Sequence, residues 1–296
     1  MVKINSIIDR YIKDLTGIKR SSLNTVISYK NDLNQFEKFC DNKEIFDITV
    51  ITERLIRSYI MYLNNNSNKA ASISRKLATL RGLFEYAIKN EFIKDNPLVY
   101  IKNPKQNRKL PETVEYNAIL AVFEKAREEK DEKEKALVIA LFDLIYGCAL
   151  RVSEACNIKV KDIDFEKNSI RILGKGSKLR IVPIGQKTLI SIRNYLNLRE
   201  NVNSDNKIFV TKNGNEIYSK FVYRIINKYL SKVTDIEKKS PHVLRHAAAT
   251  HMLNLGADLL AVKEILGHEN LSTTQIYTHV SIERLKNTYK TAHPKS

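Results

Sequence analysis

The 296-residue sequence predicts a mainly α-helical protein of two domains, the second carrying a small antiparallel β-sheet. Three observations predict it. Apolar residues recur at helical intervals through most of the first hundred positions. The stretch KDNPLVYIKNPKQNRKLPE, at 94–112, then breaks that rhythm with three prolines, which disfavour helix in the residues before them. Beyond it, two strand-like runs flank a glycine-containing turn inside an otherwise helical segment.

The elements follow in order. Ser21 or Ser22 is placed to cap a helix carrying Val26, Leu33, Phe36 and Phe39. Thr52 opens a second, with Leu55, Ile56, Tyr59, Ile60 and Leu63 on one stripe. Ser72 opens a third, with Ile73, Leu77, Leu80, Phe84 and Ile88. The proline-containing stretch sets the division: an N-terminal helical domain over 1–103, a linker at 104–111 and a second domain over 112–296. In the second domain the apolar run Ala136–Leu150 fits a buried helix near 133–147. Strands at Ser169–Leu173 and Arg180–Ile184 flank the turn Gly174-Lys175-Gly176-Ser177-Lys178, giving two or three antiparallel strands. Helices are expected again at about 186–200 and 219–232. Leu244, Ala248, His251, Met252 and Leu255 keep helical spacing up to Gly256. Asp258 caps a helix burying Leu259, Val262, Ile265 and Leu266, which Gly267 ends. Ser272-Thr273-Thr274-Gln275 reads as a capping box before a short helix with Tyr277 in its first turns.

Composition narrows the partner. Fifty Lys and Arg against 33 Asp and Glu give a net charge of +17, spread over both parts of the chain: +9 in residues 1–110 and +8 in the rest. Such an excess implies a polyanion, either nucleic acid or an anionic membrane face. The longest apolar run is too short to span a bilayer and contains Asp143, and the N-terminus has no signal-peptide pattern, so nucleic acid leads and no membrane association is expected. Three cysteines, Cys40, Cys148 and Cys156, lack metal-ligand spacing and suggest a reduced, cytoplasmic chain with thiols in the core.

Taken singly, the polar residues near the helix ends have plain readings. Arg151 and Arg245 read as surface charges, Glu154 as an ion-pair partner of Arg151, and Lys175 as a solvated hairpin lysine. His242 reads as a helix-start cap, His268 as a charge at a helix C-terminus, and Tyr277 as a packed amphipathic side chain. Their joint order says more. The blocks are Leu150-Arg151-Val152-Ser153-Glu154, Gly174-Lys175-Gly176-x-Lys178-x-Arg180 with Pro183, Pro241-His242-x-Leu244-Arg245-His246, Ala249-Thr250-His251, Leu266-Gly267-His268, and Ser272-Thr273-Thr274-Gln275-x-Tyr277-Thr278-His279. With these blocks the chain resembles the tyrosine recombinase (phage integrase) family, and more closely its Xer branch of chromosome-dimer resolvases. It departs from the family pattern at Cys148-Ala149, where Thr-Gly is common, and at Ala247-Ala248, where Ser-Phe is common.

The resemblance implies a C-shaped DNA clamp, made of an N-terminal core-binding domain and a catalytic domain. It implies Tyr277 as nucleophile, Arg151 and Arg245 as the clamp on the scissile phosphate, His242 and His268 as further donors, Lys175 as general acid, and Glu154 as support behind them. The residue types suit that chemistry. Guanidinium forks match the oxygens of an anionic phosphoryl group, and a phenol of reference pKa about 10 needs nearby positive charge to attack near neutrality. Tyrosine attack would leave a 3′-phosphotyrosyl strand and a free 5′ hydroxyl, conserving bond energy, so neither a cofactor nor a metal is expected. The resemblance further implies a double-stranded DNA recombination site as partner and a homo- or hetero-tetramer acting through a Holliday junction. A paralogous recombinase and a DNA translocase activator are possible partners. The amphipathic segment 282–289 is expected to dock on a neighbouring protomer.

Three alternatives compete with this reading. A metal-dependent hydrolase built on His242, His246 and His251 lacks the glutamate of an HExxH motif and an evident third ligand. A non-catalytic DNA-binding protein would not be expected to keep the full residue set. A mobile-element integrase remains the nearest competitor, and the early start of the first helical segment favours the Xer type.

Overall fold

The computed structural model describes residues 2–17, 23–105, 113–174, 179–199 and 202–267. The chain separates into two units, 1–109 and 110–296. In the first, α1 (Ile4–Gly17) buries Ile4, Ile7, Ile8, Tyr11 and Leu15, the i, i+3, i+4 stripe of an amphipathic helix. Next comes α2 (Leu23–Asp41); its expected caps, Ser21 and Ser22, lie outside the described residues. As the spacing predicts, Thr52 caps α3 (Glu53–Asn65), accepting from Leu55 N at 3.4 Å. By contrast, α4 (Ala70–Lys89) starts before Ser72, with Lys69 at the N-cap position. Ala70 and Ala71 are strong helix formers and carry the helix past the expected cap. Ile88 is exposed and Ala87 takes its place in the core.

Two features lock this unit. Gly82, in the middle of α4, lets α1 approach: a β-carbon there would lie 2.2 Å from Tyr11 Oη. Asp32 on α2 is buried among partners from α4: Arg75, Lys76 Nζ at 2.9 Å and Thr79 Oγ1 at 3.2 Å. A buried carboxylate is tolerated when paired and hydrogen-bonded in this way, and it fixes the register of the two helices.

The second unit is built around α6. It begins with α5 (Tyr116–Arg127), which buries Ile119, Val122, Phe123 and Ala126. Then α6 (Glu132–Gly147) starts at Asp131, whose side chain accepts from Lys133 N and Glu134 N. From Ala140 to Gly147 every residue of α6 is buried, as the apolar run predicts for a helix covered on all sides. The short α7 (Val152–Asn157) leads to β1 (Ile163–Asp164), β2 (Ser169–Leu173) and β3 (Leu179–Pro183). They form one antiparallel sheet in the order β1-β2-β3, with Ile170 opposite Val182 and Ile172 opposite Arg180. In β2, Ile170 and Ile172 are buried while Arg171 and Leu173 are exposed, so Arg180 and Val182 share the inner face.

The remaining helices are α8 (Gln186–Asn197), α9 (Ser219–Leu230), α10 (Pro241–Asn254) and α11 (Leu259–Leu266). Pro241 occupies the first helical position of α10, where its missing N–H costs nothing. Asp258 caps α11, accepting from Leu260 N. Gly256 and Gly267 follow α10 and α11 at positive φ, +84° and +62°. Two expected core positions of α11 differ: Leu259 is 52% exposed and Leu266 is only half-buried. The buried stripe of α11 is Ala261, Val262 and Ile265, and at 100° per residue Leu259 falls well off it. All three cysteines are buried free thiols. Among the described residues no helix is long and apolar enough to cross a membrane.

Candidate active site

Glu154 is the centre of the site. It lies at the third position of α7 and is buried, and its carboxylate receives four short hydrogen bonds. Oε2 accepts from Arg151 N at 2.8 Å and Arg180 Nη2 at 2.8 Å; Oε1 accepts from Arg151 Nη1 at 2.9 Å and Arg180 Nη1 at 2.8 Å. Four donors saturate the lone-pair sites of a carboxylate. Arg245 Nη1 adds an ion pair at 3.7 Å from Oε2. Burial alone would raise the Glu154 pKa. The hydrogen bonds from Arg180 and Arg151 and the charge of Arg180 outweigh it and hold the carboxyl below its usual range, so it is an anion at neutral pH.

The three arginines also share the C-terminal end of α11. Arg180 Nε donates to Ile265 O at 3.2 Å, Arg245 Nη2 to Leu266 O, and Arg151 Nη2 to Gly267 O at 2.9 Å. Three consecutive carbonyls, left without intrahelical partners where the helix stops, are each taken by a different guanidinium. The negative end of the helix dipole thus faces the cationic cluster.

Arg245 is buried within α10 and also donates from Nη1 to Ala149 O at 2.8 Å. Burial, then the neighbouring Arg151, lowers its pKa to about 10, so it remains charged at neutral pH. Ala149 sits at φ +49°, a left-handed conformation that a β-carbon makes costly by about 1 kcal/mol. The departure from glycine at this position therefore carries strain, held at the turn that leads into Arg151.

The structure thus brings together Arg151, Glu154 and Arg245 from the sequence-predicted set. His242 lies three residues before Arg245 on the first turn of α10, on the same side of the helix. Its ring is exposed and outside the arginine–glutamate network. Lys175, His268, Tyr277, the capping box at 272–275 and the segment 282–289 lie outside the described residues. Sequence reasoning missed Arg180 as a site residue. Its signal was the strand alternation that sets it on the face of Val182, an inward position where a cation needs a partner.

No three His, Cys, Asp or Glu among the described residues are grouped where they could hold a metal ion. His242 and His246 are exposed. His251 is engaged elsewhere: its Nδ1 pairs with Tyr146 Oη at 2.8 Å, and it hydrogen-bonds the Val114 backbone. Burial lowers its pKa, which keeps the ring neutral.

Known proteins resemble this chain over nearly its whole length. Residues 8–91 match the family model described as the phage integrase N-terminal SAM-like domain. Tyrosine recombinase XerC of Staphylococcus aureus (strain USA300 / TCH1516) is 38% identical over 295 residues, covering 99% of this chain and 98% of the relative. Tyrosine recombinase XerC of Chlorobaculum tepidum is 34% identical, covering 97% and 94%. The XerH site-specific recombinase bound to palindromic difH substrate, in a post-cleavage complex, has a TM-score of 0.72 at 25% identity, covering 95% of this chain and 83% of that one. A lambda integrase dimer bound to a COC′ core site shares the fold, with a TM-score of 0.73 at 17% identity, covering 95% and 100%. With residues 112–284 also matching the phage integrase family model, the chain belongs to the phage integrase family of tyrosine-type site-specific recombinases.

Proposed function

We propose that this enzyme cuts and rejoins duplex DNA at a specific site, through a covalent bond between Tyr277 and the 3′ phosphate of the broken strand. The observation that carries the reading is the meeting of Arg151 and Arg245, far apart in sequence, on one buried carboxylate. In that role the two guanidinium groups take the non-bridging oxygens of the scissile phosphate, where charge builds as the fifth bond to phosphorus forms. His242 and His268 add donors. Tyr277 Oη, its proton lost to solvent under the pull of the neighbouring cations, displaces the 5′ oxygen, which leaves as a hydroxyl after taking a proton from Lys175. Attack by another strand's 5′ hydroxyl reverses the step and releases the tyrosine. The +17 charge supplies the long-range attraction for a DNA duplex and makes binding strongly salt-dependent.

The test is a nicked suicide duplex, whose short cleaved fragment diffuses away and leaves the adduct trapped. Mass mapping is expected to find the DNA on Tyr277; an adduct on any other side chain overturns the assignment. Lys175 has its own test. Lys175→Ala should slow cleavage by about 10² to 10⁴-fold, and a 5′-phosphorothiolate, whose sulfur leaves without a proton, should restore most of that loss. If the sulfur substrate is cleaved no faster, Lys175 is not the acid.

We further propose that the enzyme acts as a tetramer on two recombination sites through a Holliday junction, and that its cellular task is resolving chromosome dimers. Near full-length similarity to proteins named XerC supports that choice over a mobile-element integrase. Deleting the gene should then produce chains of cells with unpartitioned chromosomes, and blocking homologous recombination should suppress that defect. Normal segregation in the deletion strain would refute the cellular role and leave the chemistry standing.

A further inference from the structure

Arg180, on β3, makes the closest contacts to Glu154 of any side chain outside the Arg151 to Glu154 turn. It spends Nη1 and Nη2 on the two Glu154 oxygens, each at 2.8 Å, and Nε on Ile265 O at 3.2 Å. Every nitrogen of its guanidinium is therefore engaged within the protein. It also fills the space under the left-handed turn that ends α11: a β-carbon on Gly267 would lie 3.1 Å from Arg180 Nη1 and 3.2 Å from its Cδ. Arg151 and Arg245 touch the same two objects, the carboxylate and the end of α11.

We infer that Arg180 is a positioning residue for the cleavage reaction, acting through Glu154 to set the orientation of the Arg151 and Arg245 forks and the end of α11. The inference rests on the catalytic reading proposed above. The fork and the carboxylate are matched edge to edge, a geometry that lysine cannot reproduce with a single ammonium. Without it Glu154 loses two of its four hydrogen bonds while staying buried, and its proton affinity rises. A protonated Glu154 no longer balances the neighbouring guanidinium groups, and Arg151 loses the anion that aims it. Ile265 O, next to the carbonyls held by Arg245 and Arg151, is released at the same time.

The experiment uses the full-length protein and single-turnover cleavage of the nicked suicide duplex, with DNA affinity and thermal stability measured alongside. Arg180→Lys, which keeps the charge, is expected to cleave about tenfold more slowly or worse while binding DNA within about twofold of wild type. Adding Glu154→Gln to Arg180→Lys should cost clearly less than the product of the two single losses, since both act in large part through one contact. Arg180→Met should in addition make cleavage more sensitive to acid than in wild type, because the Glu154 pKa rises when two of its hydrogen bonds are lost. Wild-type cleavage by Arg180→Lys, or losses that multiply in the double variant, overturns the inference, and the lysine variant decides the matter if the methionine variant does not fold. Wild-type protein forming no Tyr277 adduct in the same assay would instead refute the catalytic reading itself.

Discussion

Replacing Tyr277 by Phe is expected to abolish the covalent DNA adduct while leaving DNA binding within about threefold of wild type. The phenyl ring keeps the size and apolar character of the side chain and removes only the oxygen that would attack phosphorus. Attack by water in its place would hydrolyse the strand and leave nothing linked to the protein, so trapping reads the tyrosine oxygen alone. The fall in trapping should reach at least about 10⁴-fold, the order seen when a covalent nucleophile is removed from an otherwise intact site. Gel separation under denaturing conditions measures it directly. A persistent adduct in this variant would falsify the nucleophile assignment.

The second large effect belongs to Arg245. Arg245→Lys should reduce the cleavage rate by about 10² to 10³-fold, the scale associated with losing an aligned donor to developing charge. Its guanidinium is fixed by Ala149 O and Leu266 O, so its direction is set before any ligand arrives. An ammonium in its place offers a point charge on a flexible stem and cannot satisfy both carbonyls and a phosphate oxygen together. Because the Arg245 pKa is lowered only to about 10, the wild-type group stays cationic through the neutral range, and no acidic or neutral limb of the pH profile should belong to it. Arg245→Ala is the harsher variant and also strips a partner from a buried carboxylate, so the lysine variant is the cleaner measure. Cleavage within about fivefold of wild type in Arg245→Lys would remove this residue from the phosphate clamp.

Legibility in the sequence varied with the range of the interaction. The α10 and α11 helices were plain because local chemistry marks their ends: Pro241 starts one, Asp258 caps the other, and Gly256 and Gly267 stop both. The run filling α6 announced a buried helix through composition alone. Local signals also misled. Ser72 is a good capping residue but sits inside α4, and Leu259 looks like core but lies off the buried stripe. The α5 helix went unpredicted because it follows the proline-containing stretch and has no side-chain cap, although Ile119, Val122, Phe123 and Ala126 keep helical spacing. In the site, Arg151 and Glu154 were legible as an i, i+3 pair, and Arg245 through its motif. What no local pattern could carry is the distribution of three guanidinium groups over three successive carbonyls of α11, which arises only when α7, β3 and α10 pack around that helix end.

One consequence of that cluster concerns selectivity along the reaction path. Among the described residues three guanidinium groups pair with one carboxylate, Glu154, so this cluster carries a net positive charge. An intact phosphodiester brings one negative charge, whereas the five-coordinate species on the way to cleavage approaches two. With the scissile phosphate docked there as proposed, a net positive cluster gains more from the more highly charged species, so the field of the folded protein favours the fleeting species over its precursor.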